Sequence, residues 1–380
     1  MVQLSKILTE FSEKNTNELY NPVAVGKYGI RKRSDIYKKE LAKDYSKNKV
    51  IRKNTLVVGM GSTQIDIGVL SEDEIYSVSP AYHTFKINTD IADAKFIDVL
   101  FVAKNKEFTK KYMIAGARQG KSVNLKDLLK EEVTIPSREK QKKIVQLYDN
   151  IKELIALEQM NIDDYTQLKK AIFDRMFGNP KENQYNWEMG VVSDYFKIKG
   201  GKRIPKGKSY AATVTQHPYL RATDMKNETI LDEDIHYIDE DVYAQIKNYV
   251  VKGGDIYLTN VGAKLGMAGV IPEKYNGANL TENAVKLINK TDKEILGIYV
   301  AHYINSDTVQ EFINERKMAV GVPKLAIVRI ETMPMMLPPI DKQKEFALIV
   351  DMINKNIEES KHKIELLDEL LKKKLQDNFS

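Results

Sequence analysis

Two stretches of the chain carry apolar residues at helical spacing, and one is a copy of the other. Ile135-Pro136-Ser137-Arg138-Glu139-Lys140-Gln141 lies over Leu337-Pro338-Pro339-Ile340-Asp341-Lys342-Gln343, and the alignment runs without a gap to Gly178 over Ser380. Identical pairs include Pro136/Pro338, Lys140/Lys342, Gln141/Gln343, Asp149/Asp351 and Phe177/Phe379. Ile144, Leu147, Ile151, Ile155, Ile162, Tyr165, Leu168 and Phe173 fall over Phe346, Ile349, Ile353, Ile357, Ile364, Leu367, Leu370 and Leu375. Spacings of three, four and seven place each set on one helical face. Even the polar interruption is shared, Glu158 over Ser360. An acid (Glu139, Asp341) stands near the positive end of each helix dipole, and Gly178 with Pro180 beyond it supplies a stop. Arg138 to Phe177 spans 40 residues, about 60 Å of helix at 1.5 Å per residue. So long a helix with one narrow apolar stripe and Lys/Glu-rich outer faces requires a partner helix, and the other copy provides it. Ile144, Ile151, Ile155, Ile162 and Leu168 are expected to pack against Phe346, Ile353, Ile357, Ile364 and Leu370.

Weaker echoes lie upstream. Asn54-Thr55-Leu56-Val57-Val58-Gly59-Met60-Gly61-Ser62 resembles Gly254-Asp255-Ile256-Tyr257-Leu258-Thr259-Asn260-Val261-Gly262, each a turn, a buried strand and a glycine-containing loop. Arg118-Gln119-Gly120-Lys121 precedes the first long helix much as Gly321-Val322-Pro323-Lys324 precedes the second. The expected architecture is α+β: mixed globules at 1–134 and 179–336, long helices at 135–178 and 337–380, and an internal pseudo-two-fold repeat. Further helices are expected near Ala94–Ala103 and Glu294–Arg316. Antiparallel pairing of the long helices would set the globules at opposite ends of a rod.

Composition narrows the function. With 42% hydrophobic and 29% charged residues, no apolar run near membrane-spanning length and no apolar core behind Met1, the chain is expected to be soluble and cytoplasmic. It has no cysteine and five scattered histidines, which argues against disulfides, thiolate metal sites and an imidazole-rich zinc site. The net charge of +6 is unevenly spread. Lys27 to Lys53 holds eleven Lys/Arg against Asp35, Glu40 and Asp44, and Lys197 to Lys208 holds six Lys/Arg and no acid. One basic patch near the start of each half points to a polyanion such as nucleic acid.

The order globule, Pro-x-x-x-x-Gln-x-x-Ile-type helix, globule, second such helix resembles the specificity subunit of Type I restriction–modification systems, over the whole chain. Ile135–Gly178 and Leu337–Ser380 resemble that family's helical spacers. Gly321-Val322-Pro323-Lys324-Leu325 and Trp187-Glu188 with Gly200-Gly201 resemble features of its target-recognition domains. The first globule departs in lacking a tryptophan at its opening and the proline beside Gly120-Lys121. The resemblance implies a non-catalytic reader of a bipartite, asymmetric target in the major groove, with the helices measuring the spacer. It implies double-stranded DNA as ligand and modification (adenine methyltransferase) and restriction translocase subunits as partners. S-adenosylmethionine, ATP and Mg would then belong to those partners, with no cofactor bound here.

Base readout needs forked donors and acceptors, and phosphate anchoring needs Lys, Arg and free N–H groups. The candidates are Arg31, Lys32, Arg33, Lys38, Lys39, Ser62, Gln64, Arg118, Gln119 and Lys121 in the first globule. In the second they are Lys202, Arg203, Arg221, Asn260, Lys264 and Lys324. Two other readings are a stand-alone DNA methyltransferase or nuclease and a coiled-coil scaffold without DNA. The enzyme motifs are incomplete. Gly116–Ser122 has three residues between its glycines where a phosphate-binding loop has four. Gly59-x-Gly61 is followed by strand-like alternation rather than a helix. Asn21-Pro22-Val23-Ala24 and Ser79-Pro80-Ala81-Tyr82 lack the second proline of a base-methyltransferase loop and read as turns. The acids between Asp232 and Asp241 read as a solvated or docking surface.

Overall fold

The computed structural model describes residues 1–16, 18–26, 29–37, 44–61, 63–115, 121–318 and 321–379. The chain forms two compact units, residues 1–160 with 361–380 and residues 161–360. The division falls inside the long helices because each unit takes up half of each.

Unit 1 is built on an antiparallel sheet of β1 (Leu8–Phe11), β2 (Thr55–Met60), β3 (Ile65–Leu70) and β4 (His83–Ile87), in the order β1-β4-β2-β3. A helix, α1 (Ala94–Tyr112), packs on it, opened by Asp93, whose carboxylate accepts from the N–H groups of Lys95 and Phe96. The short ladder Val2–Gln3 with Glu132–Val133 ties the first residues to the approach of the long helix α2 (Arg138–Phe177).

Unit 2 repeats this plan. Its sheet is β5 (Phe196–Gly200), β6 (Ile256–Thr259), β7 (Ala268–Val270) and β8 (Ala284–Asn289), in the order β5-β8-β6-β7. The helix that follows is broken at Ser306 into α3 (Gly297–Asn305) and α4 (Asp307–Arg316). Glu188–Val191 pairs with Pro334–Leu337 just before the second long helix, α5 (Ile340–Phe379). The registers match: Leu56 faces Phe85 in one sheet and Ile256 faces Leu287 in the other. The turn before β2 puts Asn54 at φ 64° and that before β6 puts Gly254 at φ 80°, residue types that tolerate the left-handed region.

The long helices run antiparallel to one another within each unit. In unit 1, Ile144 near the start of α2 shares a core with Leu375 and Phe379 at the end of α5, and Glu158 meets Lys363 at 3.2 Å. In unit 2, Phe173 and Phe177 at the end of α2 meet Phe346 near the start of α5. The terminal phenylalanine of each copy packs on an aromatic residue in the first turn of the opposing globule helix: Phe379 on Phe96 at 5.5 Å, Phe177 on Tyr299 at 4.8 Å. Gly178, at φ 77°, closes α2 with its N–H on the Asp174 carbonyl.

Among the residues withdrawn from solvent are, along α2, Ile144, Tyr148, Ile151, Ile155, Glu158, Ile162, Tyr165 and Lys169, and along α5 Phe346, Val350, Ile353, Ile357, Ser360, Ile364, Leu367 and Leu371. Both sets alternate steps of three and four, the 3.5-residue period of a coiled-coil seam. This corrects two of the packing positions. Leu168 and Leu370 are 45% and 42% exposed, and the next residues, Lys169 and Leu371, occupy the seam. Apolar character alone misplaced the stripe because a lysine sits on it. Lys169 is 4% exposed, and its ammonium donates to the Glu228 carboxylate at 2.7 Å and to the Asn354 side chain at 3.3 Å. Glu228, in a left-handed turn with Asn227, also faces His302 of α3. The seam of unit 2 is thus hooked to the turn joining strands Met225–Lys226 and Thr229–Ile230.

The invariant glutamine of the repeat acts alike in both copies. Gln141 accepts from the Asp93 N–H at 2.8 Å and donates to the Pro136 carbonyl at 2.8 Å. Gln343 accepts from the Leu296 N–H at 2.9 Å and donates to the Pro338 carbonyl at 2.8 Å. Each is 1% exposed. One amide therefore satisfies a buried donor where the globule helix begins and a carbonyl where the long helix begins.

Two predictions follow from these contacts. Gln141→Ala and Gln343→Ala each strand a buried N–H and a carbonyl, and each is expected to destabilise its unit by about 1–3 kcal/mol in denaturant unfolding. A loss below about 0.5 kcal/mol in both would refute the clasp. Burial also pushes the pKa of His302 down to about 4, against the pull of the Glu228 carboxylate. The unfolded chain, with histidine near 6.5, binds the extra proton, so acid weakens unit 2 through the window from about pH 6.5 down to about 4. Glu228 is opposed by burial but held below the usual range by the His302 and Lys169 charges. Its contribution is lost as acid protonates the carboxylate, in the same direction. Asp98 of unit 1, pushed up to about 6 by burial, acts oppositely and is common to wild type and variant. Between pH 6 and 5 the wild type is expected to lose about 1 kcal/mol more than His302→Phe; superimposable pH profiles of unfolding would contradict this.

Candidate nucleic-acid interface

In unit 2, segments far apart in sequence converge on one loop, Thr281-Glu282-Asn283, at the end of β8. From one side comes the chain leaving β5: the Gly201 N–H donates to the Ala284 carbonyl at 3.0 Å and the Lys202 N–H to the Leu280 carbonyl at 2.8 Å. A Cβ at Gly201 would run into the carbonyl oxygens of Thr281 and Leu280, so glycine is what permits this approach. From the other side, the N–H groups of Asn260 and Val261 donate to the Asn283 carbonyl at 2.9 and 3.3 Å. The Gly321–Leu325 segment pairs in turn with the 260–262 stretch, with Gly262 donating to the Pro323 carbonyl at 2.9 Å and Val261 bridged to Lys324.

The six candidates of the second globule stand on or beside these segments, in different roles. Lys202 and Arg203 are exposed, Lys202 with its ammonium 5.6 Å from the centre of the Tyr249 ring. Lys324 is exposed, its backbone paired with Met318. Lys264 lies half-buried and donates to the carbonyls of Thr223 and Met225 at 3.0 and 3.2 Å. Arg221 and Asn260 are committed inside. The Arg221 guanidinium binds Asp224 at 2.7 Å, Asp234 at 3.0 Å and His236 at 3.1 Å. Asn260 is 6% exposed and donates to the Leu325 carbonyl at 3.3 Å. Residue type marked both as readers, whereas burial makes them the frame.

An open cleft of about 560 Å³ adjoins the loop, lined by Arg203, Lys208, Tyr210, Tyr219, Arg221 and Glu282 among others. Glu282 is not among the sequence candidates, which are cations, amides and one serine. Its carboxylate accepts from Arg203 Nε at 2.6 Å and from the Thr281 hydroxyl at 3.1 Å. Burial opposes its ionisation, and the bond from Arg203 foremost among the opposing contacts holds the carboxyl below its usual range. The nearby acids face their own cations: Asp232 meets Lys274 and Tyr275, Asp241 meets Lys208, and Glu240 meets His217. Among the described residues no three His, Asp or Glu side chains converge as metal ligands would.

In unit 1 the strand Gly29–Lys32 pairs with Val23–Gly26 and lies against β3, where a Cβ on Gly68 would strike Ile30. Arg31 and Lys32 are exposed on it, Lys32 lying 3.7 Å from Glu74, while Arg33 stands 5.8 Å from the Tyr45 ring. The Gln64 carbonyl accepts from Gly61 in the turn after β2, and Lys121 is exposed on a ribbon with Met113–Ala115. Lys38, Lys39, Ser62, Arg118 and Gln119 lie outside the described residues. The Ser79–Tyr82 segment is a turn, Tyr82 N–H to Ser79 carbonyl at 3.1 Å, with the Tyr82 ring laid across Gly59.

No helix among the described residues is long and apolar enough to cross a membrane. Comparison with solved structures finds the same fold at low identity. A chain from work on complex assembly and conformational transition of the type I R-M system matches with a TM-score of 0.62 at 14% identity, over 99% of this chain and 96% of that one. The S subunit of a Type-I restriction-modification system from M. genitalium matches with a TM-score of 0.52 at 15% identity, over 100% of this chain and 95% of that one. The type I restriction modification DNA specificity domain matches twice, over residues 5–165 and 184–369, one match to each copy of the repeat. The chain is therefore a member of the type I restriction modification DNA specificity domain family.

Proposed function

We propose that this chain is the sequence reader of a Type I restriction–modification complex, that each globule reads one part of a bipartite DNA target, and that the chain itself catalyses nothing. The observation that carries the reading is the fastening, in unit 2, of the Gly200–Arg203 and Asn260–Val261 segments to one loop, Thr281–Asn283, with Pro323–Lys324 paired in turn to Val261 and Gly262; Lys202, Arg203 and Lys324 are exposed on these segments. Exposed cations on a rigid frame suit phosphate anchoring and base contact together. The two copies differ in sequence at these loops, so the two parts of the target differ as well. The membership in a specificity family supports the same reading.

Methyl transfer and strand cleavage fall to partner subunits, together with S-adenosylmethionine, ATP and Mg. The outward faces of the long helices suit such partners: Leu154, Leu157 and Met160 are exposed on α2 in unit 1, and Leu348 and Met352 on α5 in unit 2. Apolar residues held in water on a rigid helix are anchors for a modification subunit.

Mapping of adenine methylation in cells with and without this chain is expected to show one asymmetric bipartite motif, methylated on both strands, that vanishes with the chain. The purified chain alone, given DNA and S-adenosylmethionine, is expected to transfer no methyl group; transfer by the chain unaided would reverse the proposal. Affinity for the target is expected to fall steeply with salt, and Lys202→Ala and Lys324→Ala are each expected to lower the slope of log K against log salt by about 1. Slopes unchanged in both variants would remove these lysines from the phosphate contacts.

A further inference from the structure

We propose that Arg203 reads a guanine in the part of the target bound by unit 2, with Glu282 as the positioning residue that aims it. This rests on the DNA-recognition reading above and goes beyond it by assigning a base and a residue pair.

The Arg203 side chain is 78% exposed, yet it is not loose. Its Nε donates to Glu282 Oε1 at 2.6 Å. Glu282 is itself fixed, at 29% side-chain exposure, by the Thr281 hydroxyl at 3.1 Å, and its carboxylate lies 3.5 Å from the Tyr219 hydroxyl. Tyr219 is 2% exposed and its hydroxyl donates to the Lys202 carbonyl at 2.8 Å, so the chain carrying the arginine and the loop carrying the glutamate meet on one buried ring. The backbone of the loop is held from both sides, through Gly201 and Lys202 on one and Asn260 and Val261 on the other.

With Nε engaged, the guanidinium presents its two terminal nitrogens outward as a fork. Guanine offers two acceptors, N7 and O6, side by side on its major-groove edge, and the fork matches them. A pre-aimed arginine also loses less side-chain freedom on binding than a loose one. A phosphate contact fits the arrangement poorly, because a carboxylate 2.6 Å from the arginine would repel a phosphate drawn to the same cation. The same carboxylate does not oppose a neutral base edge.

The test is selection of a randomised duplex library by the full chain purified with its modification subunits, followed by sequencing of the bound DNA. Wild type is expected to enrich a bipartite motif. Arg203→Lys, which keeps the charge and loses the fork, and Glu282→Gln, which keeps the shape and loses the charge, are each expected to relax one G·C pair by about tenfold or more. The other positions of the motif remain as they were, and their retention reports that the variants fold. Full discrimination retained by both variants overturns the proposal. So does an Arg203→Ala variant that weakens binding evenly over all sequences while Arg203→Lys behaves as wild type, the signature of a phosphate contact. A wild-type chain that enriches no motif would instead sink the DNA-recognition reading itself.

Discussion

Neither globule completes its core from its own contiguous sequence. The core of unit 1, with Leu4, Phe96 and Phe101, takes in Phe379 from the far end of the chain. The core of unit 2, with Tyr299, Val300 and Met336, takes in Phe173 and Phe177 from the helix that begins beyond the first globule. This exchange of helix ends is the constraint on which the remaining architecture rests. It dictates a 40-residue length for both α2 and α5, their antiparallel course within each unit, and a phenylalanine at the last turn of each. It also explains the internal symmetry. The same contacts, a phenylalanine on an aromatic ring and a glutamine on the first N–H groups of a helix, are made once in each unit by residues aligned in the repeat.

The polar residues of the seam refine this picture. A strip of uniform leucine would pair in several registers, whereas Glu158 and Lys169 each take a particular neighbour. Lys169 is the clearest case. Its charge lies out of water, and Glu228 and Asn354 must both arrive for it to be accommodated. Such a group adds little net stability beyond that of a hydrophobic replacement, and its value lies in penalising misaligned pairings.

Much of the frame was legible in the sequence because the frame is periodic and duplicated. The helix limits Arg138 and Phe177 emerged from the repeat together with its glycine stop, and the echo of Asn54 with Gly254 marked equivalent left-handed turns. The stripe slipped by one residue at Leu168 because a buried lysine cannot be told from a solvated one without its partner Glu228, which is distant in sequence, and at Leu370 because the repeat aligns it with Leu168 while positions 370 and 371 are both leucine. The site was legible in part. Residue type alone could not sort the candidates of the second globule: Arg221 and Asn260 resemble readers until Asp224, Asp234 and the Leu325 carbonyl are seen to engage them. Glu282 carried no local signal at all, since a carboxylate among cations becomes meaningful only once Arg203 folds against it.

The way the Thr281–Asn283 loop is fastened has an evolutionary consequence. Its anchors to Leu220, Asn260, Val261 and Gly201–Lys202 are main-chain hydrogen bonds, made by Thr281, Asn283, Ala284 and Leu280 whatever side chains those positions bear. The demand for a small residue falls on Gly201 rather than on the positions that face outward. Side chains at 203 and 282 are therefore exchangeable without unfastening the platform beneath them. Lineages under pressure from foreign DNA would diverge at those positions first, acquiring new target preferences by point substitution while the helices stay as they are.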